Sequence, residues 1–169
     1  MSELWELLDG NGESKNFIDD RSNPIFFEKG NYHLGADVWI VNSDNKIFIQ
    51  KRSDTKKLSP SVWAMTGGSV IYGETPKETI VRESMEELSI DVQQDELEFM
   101  TKFKTGNVWV DTYILKKDYD ISKMKFDIQE VVEAKWVTWQ EIDDIVNSGN
   151  FIEHRWEFVK DFLKKEINK

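Results

Sequence analysis

Cysteine is absent from this 169-residue chain, so disulfides, thiolate zinc sites and cysteine nucleophiles are all excluded. The absence suits a reducing, cytoplasmic setting. Histidine is scarce: His33 and His154 show no metal-ligand spacing and read as ordinary surface or turn residues. No apolar run approaches the length that spans a bilayer, and the acidic, mixed start from Met1 to Gly10 lacks the basic-then-apolar order of a secretion signal. A membrane partner is not expected. Basic side chains are in deficit, 22 Lys and Arg against 32 Asp and Glu, giving a formal net charge of −10. Such a surface repels nucleic-acid backbones, and a large nucleic-acid partner is not expected. A small phosphorylated substrate stays compatible, because a bound divalent cation reverses the potential where glutamates cluster.

What is present is a globular balance, with 39% hydrophobic, 12% aromatic and 32% charged residues. The length fits one domain, 1–169, able to bury its core without a staple. Leu4 to Asp20 reads as a hairpin around Asp9-Gly10-Asn11-Gly12, with a connector to residue 30. Asp9, Asn11 and Glu13 lack the glycine and distal glutamate of a calcium loop, so a plain turn is expected. Tyr32 to Val41 and Lys46 to Arg52 are rich in β-branched and aromatic residues around Asn42-Ser43-Asp44-Asn45 and read as two paired strands. Ser53 to Val62 reads as a loop leading to Trp63-Ala64-Met65-Thr66-Gly67-Gly68, whose double glycine marks a tight bend. Glu96 to Lys104 and Val108 to Lys116 form a further strand pair, and Val131 to Thr138 another strand. Helices are expected over Trp139 to Asn147 and from Phe151 to the C-terminus, where Ile152, Trp156, Val159 and Leu163 recur at helical spacing.

The segment Thr75-Pro76-Lys77-Glu78 carries the signs of a helix start: a threonine cap, proline at the first helical position and a glutamate completing a capping box. The helix is expected from Pro76 to about Leu88. At about 100° per residue, Ile80, Val81, Ser84, Met85 and Leu88 share one arc, and Glu83, Glu86 and Glu87 an adjacent one. An acidic helix face alone is more often solvated than functional. Here, however, Gly68 is followed by five residues and Glu74, then by seven and Arg82-Glu83, then by two and Glu86-Glu87. This pattern resembles the Nudix box, closely from Gly68 to Ile90 and more loosely from Tyr32 to about Asp144. Ser84 stands where the box usually has a larger apolar residue. Ser89 stands where it usually has glycine, and a left-handed serine there costs roughly 1 kcal/mol more.

The resemblance implies an α/β fold, a Nudix-type α/β/α sandwich with a mixed central sheet. It implies a core over 31–145, preceded by the hairpin and connector of 1–30 and followed by the C-terminal helix of 151–169. It also implies a Mg2+-dependent hydrolase, with Mn2+ as a substitute, that cleaves a phosphoanhydride bond in a small substrate such as a nucleoside diphosphate derivative. By the same resemblance Glu83 and Glu87 hold the metal, Glu86 shares a second ion, and the Gly67 carbonyl beside Gly68 is a backbone ligand. Arg82 pairs with Glu74 to tie the loop to the helix. A general base falls within the box or on a later loop, where Glu130 is the distal candidate and Glu133 its competitor. Lys51 and Arg52 close the second main strand and are candidates for substrate phosphate, Arg52 the better. Trp63 and Trp109 are weaker candidates for stacking on a base or sugar.

Two other readings bear on the same residues. The chain also resembles the branch containing isopentenyl diphosphate isomerases. That reaction relies on a cysteine before the box helix, where this chain has Ala64-Met65-Thr66-Gly67. A non-catalytic nucleotide sensor with a Nudix fold usually lacks box acids, and here all are present. Oligomeric state is not legible; a homodimer is compatible.

Overall fold

The computed structural model describes residues 2–152 and 154–168. Glu153 and Lys169, which the expected C-terminal helix would include, lie outside the described residues. The amino-terminal hairpin pairs β1 (Leu4–Leu8) with β2 (Ser14–Asp20) in antiparallel register. The Asp9 carboxylate is spent on the turn, accepting from the amides of Asn11 at 2.8 Å and Glu13 at 2.9 Å. A 3₁₀ turn at Pro24–Phe27 completes the connector.

The main sheet has seven strands: β3 (His33–Val41), β4 (Ile47–Arg52), β5 (Trp63–Ala64), β6 (Thr66–Ser69), β7 (Glu98–Thr105), β8 (Val108–Lys116) and β9 (Val131–Val137). It is mixed. The pairing of β3 with β8 is parallel, and the remaining pairs are antiparallel. The expected pairing of the first two core strands is present but short: β3 and β4 are antiparallel partners at Val41 opposite Ile47. Beyond that pair they diverge, β3 continuing with β6 and β8, and β4 with β5 and β9. Buried strands with partners on both edges need not stay with their sequence neighbours, and β3 finds its longest ladder in β8.

Strand alternation sorts the core onto two faces. Ala36, Val38 and Ile40 join Phe48, Ile80, Leu88, Tyr113 and Leu115 beneath α1 (Pro76–Leu88). Trp39 and Val41 join Ile47, Ile49, Val110, Ile114, Ile142, Trp156, Val159 and Leu163 beneath α2 (Trp139–Asn147) and α3 (Trp156–Ile167). The architecture is therefore the expected α/β sandwich. Two expected details change. The last helix begins at Trp156 rather than Phe151, because Phe151 forms a parallel bridge with Trp63 and so stays extended. Met85, placed on the packing arc, is instead exposed, while Ile80, Ser84 and Leu88 are buried. Full burial of a side chain such as Ile80 or Leu88 is worth about 1.5–3 kcal/mol, which fixes the rotation of α1 and hence the direction of its acids.

Candidate active site

The amino end of α1 is fixed by reciprocal bonds: Thr75 Oγ1 accepts from the Glu78 amide at 3.2 Å, and Glu78 returns to the Thr75 amide at 2.7 Å. Its carboxyl end stops at Ser89, which takes the left-handed conformation (φ 55°, ψ 39°) expected at that position. Compensation comes from the Ser89 hydroxyl, which donates to the Lys125 carbonyl at 3.1 Å.

The double glycine is not a bend. Gly67 and Gly68 lie inside β6, paired with Asp37 and Ala36 of β3, and neither has a positive φ. The need for glycine is steric. A Cβ on Gly67 would run into the Ala36 carbonyl and the Asp37 Cα, and one on Gly68 would occupy the place of the Glu83 carboxyl group. The bare Cα of Gly68 is what lets Glu83 lie against the strand.

Around this contact the acids gather. Arg82 donates from Nε to Glu74 at 2.8 Å and from Nη1 to Glu83 at 2.8 Å and Glu86 at 3.2 Å, so one guanidinium ties the loop acid to two helix acids. Burial opposes its charge, but its bonds to Glu74 and the charge and bond of Glu83 win, holding Arg82 protonated. Glu74 is correspondingly held below the usual carboxylate range: burial works against this, and the Arg82 and Thr79 bonds outweigh it. Glu83 is pushed up by burial, with Arg82 opposing and Glu86 and Glu3 adding to the rise. Glu87 is only 6% exposed. Its Oε2 accepts from Gln50 Nε2 at 2.7 Å, and Gln50 Oε1 in turn accepts from Thr66 at 2.9 Å. Burial, eased by Gln50 and aggravated by the charges of Glu83 and Glu130, pushes the Glu87 carboxyl to about 7. Glu86 is the solvent-facing member, its side chain 59% exposed.

Glu130 joins this cluster and Glu133 does not. Glu130 is ion-paired with Lys56, and both charges are felt at Glu87. Glu133 sits opposite Lys51 in the β4–β9 ladder, on the sheet face turned away from Gln50 and Glu87. Lys51 shares that far face, its ammonium 5.9 Å from the Trp63 ring centroid; Lys135 is closer to the same ring, at 4.3 Å. Arg52 binds the loop that follows it, donating to the Leu58 and Ser59 carbonyls at 3.0 Å each. Trp109 is engaged by the hairpin, donating to the Asp9 carbonyl at 3.2 Å with Gly12 packed on its ring. His154 lies in a turn. His33 is not a surface residue: it is 5% exposed and stacked on Trp5 at 3.8 Å, because the hairpin docks over the start of β3. Gln50 and Lys56 go unmarked in the sequence, and His33 reads there as an ordinary surface or turn residue. Strand alternation would have set Gln50 opposite in facing to Lys51, whereas nothing local marks the other two.

The donor set suits a divalent cation. Hard oxygen ligands come from one helix face, and a buried carboxyl at Glu87 gains most from a cation that offsets its desolvation. Among the described residues no three acidic or imidazole side chains are already closed into a metal cage. Glu83 and Glu86 are turned onto Arg82, and Glu87 onto Gln50.

A family model of the NUDIX domain matches residues 31–162. This chain belongs to the Nudix hydrolases. An uncharacterized Nudix hydrolase of Listeria monocytogenes is 32% identical over 153 residues, covering 89% of this chain and 88% of the relative. The RNA pyrophosphohydrolase of Rickettsia bellii is 46% identical over 57 residues, or 34% of each chain. A crystal structure from Deinococcus radiodurans superposes with a TM-score of 0.72 at 23% identity, covering 88% of this Nudix chain and 91% of that one. As an enzyme the chain is a Nudix hydrolase. No helix among its described residues is long and apolar enough to cross a membrane.

Proposed function

We propose that this Nudix domain cleaves the phosphoanhydride bond of a small nucleoside diphosphate-linked or related substrate. Magnesium, with manganese as a substitute, would be held by Glu83, Glu86, Glu87 and the Gly67 carbonyl. The observation that carries this reading is the seating of Glu83 under the bare Cα of Gly68 beside the buried Glu87. When bound, the cation supplies Lewis-acid stabilisation of phosphate charge and makes water more acidic. The protein's own residues do the rest. Arg82, fixed by Glu74, keeps the acids from repelling one another and sets their spacing. Gln50 fixes one oxygen of the Glu87 carboxylate, donating to Oε2 at 2.7 Å, and the other oxygen is the one assigned to the cation. Glu130, once parted from Lys56, accepts the proton of the attacking water as general base. Arg52 spends Nε and Nη2 on loop carbonyls and keeps Nη1 for a substrate phosphate oxygen. Lys51, on the opposite face, serves the substrate only if bound from the Trp63 side.

The test is a panel of nucleoside diphosphate sugars, nucleoside triphosphates, dinucleotides and non-nucleotide diphosphates, incubated with magnesium and analysed for phosphate-bearing products. Turnover that vanishes with chelator and in Glu87→Gln is expected. Absence of magnesium-dependent turnover across the panel would leave only a binding role.

A further inference from the structure

Glu130 is the group assigned to take the proton of the attacking water, yet it stands in an ion pair with Lys56. The segments that carry the two residues are knit together. The Ser53 amide donates to the Glu130 carbonyl at 2.9 Å, and the Thr55 hydroxyl to the Gln129 carbonyl at 3.4 Å. The turn before Glu130 is hooked onto the end of α1: the Asp127 amide donates to the Glu87 carbonyl at 3.0 Å and the Lys125 amide to the Leu88 carbonyl at 3.2 Å. Arg52 braces the loop after β4 through the Leu58 and Ser59 carbonyls. Backbone bonds thus set Lys56 and Glu130 beside the last turn of α1, and the charges of both act on the buried Glu87 carboxyl.

This pair is easily parted. Its side chains are 25% and 34% exposed, so water screens the attraction and can replace the lost bond on either side. The other cations near the acids are more firmly engaged. Arg82 is held by three carboxylates and Arg52 by two loop carbonyls, whereas the Lys56 side chain is held, among the described residues, by the Glu130 carboxylate alone. Its ammonium sits on a flexible four-carbon stem and can change partners without moving the backbone. A phosphate group carries more charge and more acceptor oxygens than a carboxylate, so a diphosphate seated at the acids competes for that ammonium.

Resting on the hydrolase reading, we infer that the Lys56–Glu130 pair covers the general base until substrate arrives: the substrate phosphate takes Lys56, and Glu130 is released to the attacking water. Lys56 is thereby a substrate-binding residue, and Glu130 acts as base only in the complex. The water oxygen then bonds to phosphorus and its proton passes to the freed Glu130 carboxylate. The anhydride P–O bond breaks with its electron pair left on the departing phosphate. In the resting protein the same contact offsets the repulsion between Glu130 and Glu87.

The experiment titrates the full chain with methylenediphosphonate, a diphosphate analogue that is not hydrolysed, in the presence of magnesium. Calorimetric dissociation constants are compared for wild type, Lys56→Met, Glu130→Gln and the double variant Lys56→Met/Glu130→Gln. Exchange makes an unusual demand: removing the base must help the ligand bind. Glu130→Gln frees Lys56 and is expected to tighten binding about two- to fivefold, the range that a partly exposed ion pair contributes. Lys56→Met is expected to weaken binding about tenfold, the loss of one charge-assisted hydrogen bond, and the double variant to bind as Lys56→Met does. Lys56→Gln, read in the same way, stands in if the methionine variants fail to fold. Unchanged or weaker binding by Glu130→Gln, wild-type binding by Lys56→Met, tightening by Glu130→Gln that persists without Lys56, or no binding by wild type would each overturn the inference. Magnesium-dependent turnover of the substrate panel by wild type alongside any of these failures would leave the hydrolase reading standing; no turnover across the panel would remove both.

Discussion

Alanine at Gly68 and alanine at Gly67 are chemically identical changes one residue apart in β6, and the structure assigns them opposite consequences. At Gly68 the three nearest atoms to a new Cβ all belong to the Glu83 side chain, its carboxyl and Cγ. A glutamate can rotate away at about 0.5–1.5 kcal/mol for a displaced rotamer, and alanine recovers about 0.5–1 kcal/mol of the backbone entropy that glycine loses in a strand. The net change in unfolding free energy is therefore within about 1 kcal/mol. Displacing Glu83 removes one carboxylate from the metal site, and a loss of about 2.7 kcal/mol in transition-state stabilisation lowers turnover roughly 100-fold. At Gly67 the obstacles are the Ala36 carbonyl oxygen and the Asp37 Cα, which are backbone and cannot rotate away. The β3–β6 ladder must part, at the upper end of the roughly 1–3 kcal/mol typical of overpacking. Urea denaturation and magnesium-dependent turnover measured on both variants separate the two effects. Wild-type turnover in Gly68→Ala, or equal destabilisation by the two substitutions, would refute the steric argument.

Glu87→Gln is expected to lower turnover by at least two orders of magnitude, on the order of the loss of one charged ligand, while leaving the unfolding midpoint at pH 7 unchanged or higher; a lower midpoint would count against the burial argument. Thr75→Ala removes one half of the capping box and is expected to cost about 1 kcal/mol in urea denaturation, with activity retained. His33 titrates at about 4 rather than 6.5, lowered first by burial and then by the charges of Arg155 and Arg21. Its folded-state pKa is depressed, so the unfolded chain binds the proton first, and the His33 contribution is complete above about 6.5 and lost as pH falls towards 4. Between pH 7.5 and 5 that amounts to about 2 kcal/mol. Asp37 and Glu87, raised by burial to about 6 and about 7, act in the opposite direction. The quantity to measure is hence the difference from His33→Phe, which keeps the stack on Trp5; parallel stability curves for the two proteins over that range would disprove it.

Much of α1 was legible because its determinants are local: Thr75, Pro76 and Glu78 mark the start, and apolar periodicity sets the face. The spacing of Gly68, Glu74, Arg82, Glu83, Glu86 and Glu87 carried the site for the same reason. The parallel ladder of β3 on β8 was not legible, since no local signal distinguishes it from the adjacent hairpin that the turn at Asn42 to Asn45 suggested. Gly67 and Gly68 were misread as a bend because glycine has two uses, positive φ and close approach, and only the packed structure tells which applies. Arg155 and Asp37 meet across 118 positions, beyond the reach of any pattern along the chain.

The parallel ladder also sets an order of events. Strand β3 cannot complete its longest pairing until the chain through Lys116 is available, and closing a loop of that size is entropically slow. The hairpin of β7 and β8 needs no such wait, because its strands are joined by a short turn at Gly106. Folding is thus expected to raise that hairpin first and to recruit β3 and then β6 onto it, so that the glutamate cradle at Gly68 arises only as the sheet closes.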